Sequence, residues 1–177
     1  HAIGEMMMRL TGNPVYGADL NQTALDRFEK AGGIQSNLKE IMEKCDIVVA
    51  TTGAPNLIKP EMVRKGQIIL ALSNPNPEID PDVAMEHGAA FAADGKSVNN
   101  VLGFPGIFRG IVDTQASRIT HEMYLAAAKT IAKMTPPGEL VPNPLDKKVH
   151  NAVARAVAEV AFKQGLARAE YVPYVDE

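Results

Sequence analysis

The 177-residue sequence has one cysteine, no tryptophan and only 5% aromatic residues. A single cysteine excludes a disulfide framework and a Cys-x-x-Cys metal site, and it fits a reducing compartment. The formal charge of -3 gives no electrostatic attraction to nucleic acid or to an anionic membrane. No apolar run approaches the ~20 residues needed to span a bilayer. The composition therefore predicts a globular, cytoplasmic protein with neither nucleic acid nor membrane as a partner.

Apolar, strand-like segments alternate with helical patterns of about ten residues in the first part of the chain, which is typical of a parallel sheet covered by helices on both faces. After residue 105 the pattern is helical throughout. We therefore predict an α/β fold: a partial Rossmann-like, doubly wound parallel sheet in residues 1–105 and a C-terminal helical extension of the same domain in residues 106–177. The predicted strands are 14–20, 46–52, 67–73 and 89–93.

Capping residues mark where the helices begin. Asn21, Asn37, Asp80, Thr120 and Asp146 each stand directly before a helical pattern and carry a side-chain oxygen that can accept from the first turn. Glu40 follows Asn37 at the spacing of a capping box. The predicted helices are 2–10, 22–30, 38–44, 81–88, 106–117, 121–134 and 147–165.

The first predicted helix begins at residue 2. A dinucleotide-binding domain has a strand and a glycine-rich phosphate loop before its first crossover helix. We therefore expect this strand and loop to be missing from residues 1–105 and to precede them.

Polar residues follow the predicted strands, and in an open parallel sheet ligands bind beyond the carboxyl ends of the strands. Most of these groups are uncharged, so they suit ribose hydroxyls, a carboxamide or a neutral ring better than a metal ion. They are Thr51, Thr52 and Gly53 after the second strand, Ser73 and Asn74 after the third, and Asp94, Asn99 and Asn100 after the fourth.

Asp19 ends the first predicted strand. A carboxylate at the end of the second strand of a dinucleotide fold accepts hydrogen bonds from both adenosine ribose hydroxyls and repels a 2′-phosphate. Leu20 and Asn21 provide no cation that could bind such a phosphate, so the sequence favours NAD over NADP. The alternative is an aspartate in a solvated turn that caps the next helix together with Asn21.

The segment SNPNP (73–77) places each asparagine before a proline, which favours extended backbone at the asparagine. A stiff loop of this kind could orient a substrate through Asn74, or it could be a structural turn leading to the cap at Asp80. Thr52 and Gly53 either line the adenosine side of the cleft or form a plain strand-to-loop turn. The pair Asn99–Asn100 either binds a ligand or bonds to backbone.

The titratable residues show little sign of acid–base or metal chemistry. The four histidines share no helical or hairpin spacing, and Cys45 fits a small buried apolar residue better than a nucleophile. Acidic residues fall mostly at caps and on solvent faces, without the density of a divalent-metal cage. Arg109 has the spacing to pair with Asp113, four residues later, which we favour over an anionic ligand. We therefore predict no catalytic residue and no metal ligand in this sequence.

The segments ALSNPNPEI (71–79) and NNVLGFPGIFRG (99–110) resemble malic enzyme, the bacterial NAD-type malate oxidoreductase that decarboxylates its substrate. The segment LVPNPLDKKVHNAVARAVAEVAFKQGLAR (140–168) resembles the closing helix of that family and its proline-rich connection. The resemblance runs from about Cys45 to Ala169. It implies hydride transfer from malate to NAD and decarboxylation to pyruvate and CO2 with a divalent cation, Mg or Mn, in a homo-oligomeric enzyme.

The resemblance also implies roles for individual residues. Asn74 would lie beside the nicotinamide and malate, and the pair Asn99–Asn100 would bind the nicotinamide ribose and malate. Asp19 would be the ribose carboxylate, with Thr52 and Gly53 along the cofactor. The catalytic Tyr and Lys of the family and its acidic metal ligands would lie upstream, so we expect this segment alone to be inactive.

Two other functions stay open from the residues alone. The chain could be the NAD-binding domain of a different hydroxyacid or amino-acid dehydrogenase. It could also be a non-catalytic nucleotide-binding module.

Overall fold

A computed structural model describes residues 2–98 and 100–173, with Asn100 described in its backbone only. The chain divides into two compact units, residues 1–98 and 99–177. The first unit contains all the strands of the described residues and the second is helical. The predicted α/β class, with parallel strands and a helical C-terminal part, is confirmed.

The first unit alternates helices and strands and holds two parallel sheets, one pairing β1 with β2 and the other in the order β3-β4-β5. A short 3-10 helix, Pro60–Met62, lies between β3 and β4. In chain order the elements are α1 (Ala2–Thr11), β1 (Tyr16–Gly17), α2 (Gln22–Lys30), β2 (Ile34–Gln35), α3 (Leu38–Lys44), β3 (Ile47–Ala50), β4 (Ile68–Ala71), α4 (Pro81–Glu86) and β5 (Phe91–Asp94).

The register of the three-stranded sheet aligns the carboxyl ends of its strands. Ala50, the last residue of β3, pairs with Ala71, the last residue of β4, and Ala71 pairs with Asp94 at the end of β5. Because the three strands are parallel and end together, the loops that follow them leave from one edge. This edge is where an open parallel sheet binds ligands.

The strands hold the apolar core of the first unit. Val48 in β3 and Ile69 in β4 are buried, and Met42 of α3 and Ile58 pack into the same cluster. Ile47, the first residue of β3, is 47% exposed, so this strand is not buried along its whole length.

The strands are shorter than predicted, and one was missed. The predicted strand 14–20 is reduced to Tyr16–Gly17, which pairs with an unpredicted strand, Ile34–Gln35. A two-residue strand carries too little alternation to be recognised in sequence. Beside this sheet the ring of Phe28 fills the space that side chains at Gly17 and Gly33 would need, which holds α2 against the strands.

All five predicted caps are formed. The side chains of Asn21, Asn37, Asp80, Thr120 and Asp146 each accept a hydrogen bond from a backbone N–H in the first turn of the helix that follows. Glu40, the expected second half of a capping box, instead accepts hydrogen bonds from the Ser36 hydroxyl and the Lys44 ammonium.

The second unit contains a 3-10 helix, Asn100–Leu102, and three helices: α5 (Phe104–Asp113), α6 (His121–Met134) and α7 (Lys147–Lys163). Helix α5 begins two residues earlier and ends four residues earlier than predicted. Its Gly106 and Gly110 are buried against α7, where a β-carbon at Gly110 would lie 2.5 Å from the Ala154 carbonyl oxygen.

The proline-rich segment 135–144 contains neither helix nor strand, as predicted. Among residues 2–98 and 100–173 no helix has the length and apolar character needed to cross a membrane.

Candidate functional site

The residues at the carboxyl ends of β3, β4 and β5 form one connected edge, which we call the strand-end edge: Thr51–Gly53, Ser73–Asn74 and Asp94–Gly95. Their positions follow from the aligned carboxyl ends of the three strands. Thr52, Gly53 and Asn74 are exposed, and Ser73 is half-buried. Two of the three predicted strand-end groups, Thr52–Gly53 and Asn74, are therefore brought together on one surface.

The centre of this edge is a carboxylate. The Oε1 atom of Glu78 accepts hydrogen bonds from the Thr52 backbone N–H at 2.6 Å, from the Thr52 hydroxyl at 2.8 Å and from the Ser73 hydroxyl at 2.6 Å. Its Oε2 atom accepts a longer bond from the Ser73 backbone N–H at 3.4 Å. One side chain thus joins the end of β3 to the end of β4.

The Ser73 hydroxyl closes this connection. While it donates to Glu78, its oxygen accepts a 2.9 Å hydrogen bond from the Gly53 N–H. Thr52, Gly53, Ser73 and Glu78 therefore form a closed ring of hydrogen bonds across the two strand ends.

Glu78 is fully buried at 0% exposure. Burial opposes ionisation of this carboxyl, but the hydrogen bonds from Ser73 and from the Thr52 backbone and hydroxyl outweigh it, so the pKa of Glu78 lies below its ordinary value. Its partners are neutral groups, and no cationic side chain in the described ranges forms an ion pair with it. A buried negative charge held by neutral donors therefore lies beneath the exposed loops.

Asn74 connects the second and third strand ends. Its Nδ2 donates to the Gly95 carbonyl oxygen at 3.3 Å. A β-carbon at Gly95 would lie 2.6 Å from that same Nδ2 and 2.5 Å from the Leu72 carbonyl oxygen, so glycine is needed for this close approach. The Asn74–Pro75 peptide is cis. The Asn74 side chain is exposed on the edge but has one fixed contact to the neighbouring turn.

Gly53 has a left-handed backbone, with φ of 71°, which favours glycine. A β-carbon built at this position would meet nothing within 4 Å. The space above Gly53 is therefore open, as close approach of a ligand to the backbone requires, although its N–H already donates to Ser73. The Thr52 hydroxyl is likewise engaged by Glu78 and by the Ala54 N–H.

Asp94 organises the turn after β5. Its Oδ1 accepts hydrogen bonds from the Lys96 and Ser97 N–H groups and from the Ser97 hydroxyl. Desolvation opposes ionisation, but these bonds and the Lys96 charge hold the pKa of Asp94 below its ordinary value.

Asp19 lies after β1, on the separate two-stranded sheet. Its Oδ1 accepts a 2.8 Å hydrogen bond from the Asn21 N–H, and Asn21 in turn caps α2. The alternative interpretation, an aspartate in a turn that caps the next helix with Asn21, thus agrees with these hydrogen bonds. The other oxygen of the exposed Asp19 carboxylate stays available to a ligand.

The pair Asn99–Asn100 cannot be placed in this site. Asn99 lies outside the described residues, and for Asn100 the structure gives only the backbone, at the start of a 3-10 helix. Their predicted roles stay predictions.

The Arg109–Asp113 pair and the packing of Cys45 agree with the sequence analysis. Arg109 Nε donates to Asp113 Oδ2 at 2.7 Å, the expected helical pair. Cys45 is half-buried against the core, and burial raises the pKa of its thiol. Within the described ranges no three His, Cys, Asp or Glu side chains lie close enough to hold a metal ion.

Glu78 is the residue that sequence analysis missed. We expected acidic side chains mostly at caps and on solvent faces, and this one is buried. Its contact to Thr52 spans 26 residues, so no local pattern shows it. The available signal was its position between Pro77 and the buried Ile79, inside the ALSNPNPEI segment that follows β4.

Sequence comparisons with known proteins find malic enzymes. The family model described as "Malic enzyme, NAD binding domain" matches residues 82–169. The chain is 57% identical over 162 residues to NAD-dependent malic enzyme 1 of Bacillus subtilis, covering 91% of this chain and 37% of that protein. It is 35% identical over 171 residues to the NADP-dependent malic enzyme of Escherichia coli, covering 79% of this chain and 22% of that protein.

A solved structure shows the same fold. The crystal structure of NAD-dependent malic enzyme from Thermotoga maritima superposes with a TM-score of 0.68 at 36% identity, covering 79% of this chain and 40% of that one. The chain thus spans well under half the length of these relatives, whose names include both NAD and NADP.

Proposed function

Since this chain belongs to the malic enzyme family, we propose that it forms the cofactor-binding part of an NAD-dependent malate oxidoreductase that decarboxylates malate to pyruvate and CO2. The observation that carries the proposal is the position of Asn74. It belongs to the segment that resembles the family and is exposed on the strand-end edge, where an open parallel sheet binds its ligand.

The strand-end edge fits a dinucleotide. Its exposed groups are amide, hydroxyl and backbone, which match a carboxamide and ribose hydroxyls, and the open space above Gly53 allows close approach. NAD supplies the hydride acceptor of the reaction. We propose that Thr52 and Gly53 line the cofactor, that Asn74 orients nicotinamide and malate, and that Asn99 and Asn100 contact nicotinamide ribose and malate.

Asp19 supports NAD as the cofactor. The names of the relatives include both nicotinamide cofactors, so family membership alone leaves the choice open. An exposed carboxylate after β1 accepts from ribose hydroxyls and repels a 2′-phosphate. Leu20 is fully exposed beside it and offers no positive charge.

The remaining chemistry belongs to the whole protein. We propose that the proton-transferring Tyr and Lys and the ligands of a Mg or Mn ion lie outside residues 1–177, and that the enzyme is a cytoplasmic homo-oligomer. We also propose that residues 1–105 form the NAD-binding domain and that residues 106–177 are its C-terminal helical part.

The test is turnover by the full-length protein. Malate with NAD and Mn should give NADH, measured by absorbance, together with an equal amount of CO2. Lactate and glutamate in place of malate are the controls for a different hydroxyacid or amino-acid dehydrogenase. Turnover of lactate or glutamate in preference to malate would contradict the proposal, and so would NADH formation without CO2. Nucleotide binding without turnover of malate, lactate or glutamate would also contradict it.

A further inference from the structure

We propose that Glu78 is a positioning residue for Asn74: its buried carboxylate fixes Ser73 and thereby the direction in which the Asn74 amide is presented. This inference rests on the proposed role of Asn74 in binding nicotinamide and malate.

Glu78 is bonded to both the backbone N–H and the hydroxyl of Ser73, and Asn74 is the next residue in the chain. Two hydrogen bonds to one residue fix both its backbone and its side chain. The orientation of the following peptide, and with it the Asn74 side chain, is therefore set by a carboxylate that does not reach the exposed surface itself.

The position of Ser73 is determined from two sides. Glu78 also accepts two hydrogen bonds from Thr52 on the neighbouring strand end, and Gly53 donates to Ser73 from that same strand end. A shift of Ser73 would therefore break bonds to both Glu78 and Gly53. Together these contacts hold the loop after β4 against the loop after β3.

Glu78 is fully buried, and burying a carboxylate among neutral donors costs desolvation free energy. Apolar residues of similar volume would fill the same space without that cost. A buried group that bonds to several neighbours can preorganise the residues around a binding site. An ionised carboxylate is well suited here because it accepts at both oxygens and donates at neither.

Glu78→Gln tests this role with little change in volume. The amide oxygen can replace Oε1, where three donors converge. The amide NH2 must then replace Oε2 and face the Ser73 N–H, donor against donor. The substitution therefore disturbs the Ser73 side more than the Thr52 side. Glu86→Gln makes the same chemical change on an exposed carboxylate of α4 and is the matched control.

The experiment is a double-mutant cycle on the full-length protein with Glu78→Gln, Asn74→Ala and the combination. If Glu78 acts through Asn74, Glu78→Gln should lower kcat/KM for malate about 10-fold in the natural background and less than about 2-fold when Asn74 is already alanine. Thermal unfolding midpoints of all variants, with Glu86→Gln beside them, separate loss of stability from loss of positioning.

An equal fold-loss in both backgrounds would overturn the inference, since Glu78 would then act independently of Asn74. If Glu78→Gln does not fold, Ser73→Ala replaces it in the same cycle, with the same expected loss and the same overturning result. If Asn74→Ala lowers kcat/KM but the losses from Asn74→Ala and Glu78→Gln are additive, only the role of Glu78 is contradicted. An unchanged kcat/KM for Asn74→Ala would overturn the proposed site of function and this inference with it.

Discussion

The Ser73 hydroxyl donates a 2.6 Å hydrogen bond to the carboxylate of Glu78, five residues later in the chain. Between the two residues lie Asn74 and the two prolines of the SNPNP segment. The loop after β4 therefore folds back on Ser73 near its own start, and the carboxylate that closes it also reaches the end of β3. This contact connects the segment that resembles the family to the geometry of the strand-end edge.

The stability of the first unit should depend on pH through Glu78. The pKa of this carboxyl is lowered in the folded chain, so its contribution to stability is complete above the unfolded value of about 4.3 and is lost as the pH falls below it through the folded pKa. Glu78→Gln should therefore be clearly less stable than the natural chain at pH 7. The gap should shrink as the pH approaches 3.

Thermal or urea unfolding of the chain at pH 7, 5, 4 and 3 measures this gap. Asp94 also has a lowered pKa, but it is present in both proteins and cancels in the comparison. Exposed Glu86→Gln should differ little from the natural chain at every pH. A gap for Glu78→Gln that stays constant from pH 7 to pH 3 would show that folding does not lower the pKa of this carboxyl.

Asp19→Ser should weaken the preference for NAD in the full-length protein. The substitution removes the charge that repels a 2′-phosphate and leaves a hydroxyl that can still hydrogen-bond to ribose. The ratio of kcat/KM with NAD to kcat/KM with NADP should fall about 10-fold or more, which corresponds to about 1.4 kcal/mol. Asp26→Ser, a change to an exposed aspartate on α2, is the control. An unchanged ratio of the two kcat/KM values would mean that Asp19 acts only in the turn before α2 and does not contact the ribose.

The second unit should be sensitive to the size of residue 110. A β-carbon at Gly110 would lie 2.5 Å from the Ala154 carbonyl oxygen and 2.9 Å from Val157 Cβ, so α5 and α7 would have to separate. We expect Gly110→Ala to lower the free energy of unfolding by about 2 kcal/mol, despite the higher helix propensity of alanine.

Gly103→Ala is the matched control, because its β-carbon would meet only the flexible end of Ile107 at 3.4 Å. Chemical denaturation of both variants measures the difference in their free energies of unfolding, provided that the m-value is unchanged. Equal stabilities for the two would mean that α5 and α7 do not pack as closely as described.

The agreement between sequence and structure depends on the range of each interaction. The caps at Asn21, Asn37 and Asp80 were predictable because donor and acceptor lie within three residues of each other. The pair Arg109–Asp113 was predictable for the same reason, since residues four apart share a helix face. Parallel strands such as β3 and β4 were predictable from apolar runs bounded by turns.

Features that depend on tertiary contacts were not predictable. Burial of Glu78 requires the ends of β3 and β4 to be adjacent, and this is a consequence of the fold rather than of any local pattern. The early end of α5 has a similar origin. The Thr114 hydroxyl donates to the Gly110 carbonyl oxygen, and the Arg168 and Ala169 N–H groups donate to the Thr114 carbonyl oxygen, so the helix is closed by a segment more than 50 residues away.

The central claim is that Asn74 on the strand-end edge binds the reacting groups of malate and NAD, and its most direct measurement compares Asn74→Ala with Asn76→Ala in the full-length protein. Asn76 is an exposed neighbour on the same loop. The account predicts that Asn74→Ala lowers kcat/KM for malate about 10-fold or more, with a smaller change in the Kd of NADH, while Asn76→Ala leaves both near their natural values. Malate kinetics that are unchanged in Asn74→Ala, or lowered equally in the two variants, would contradict it.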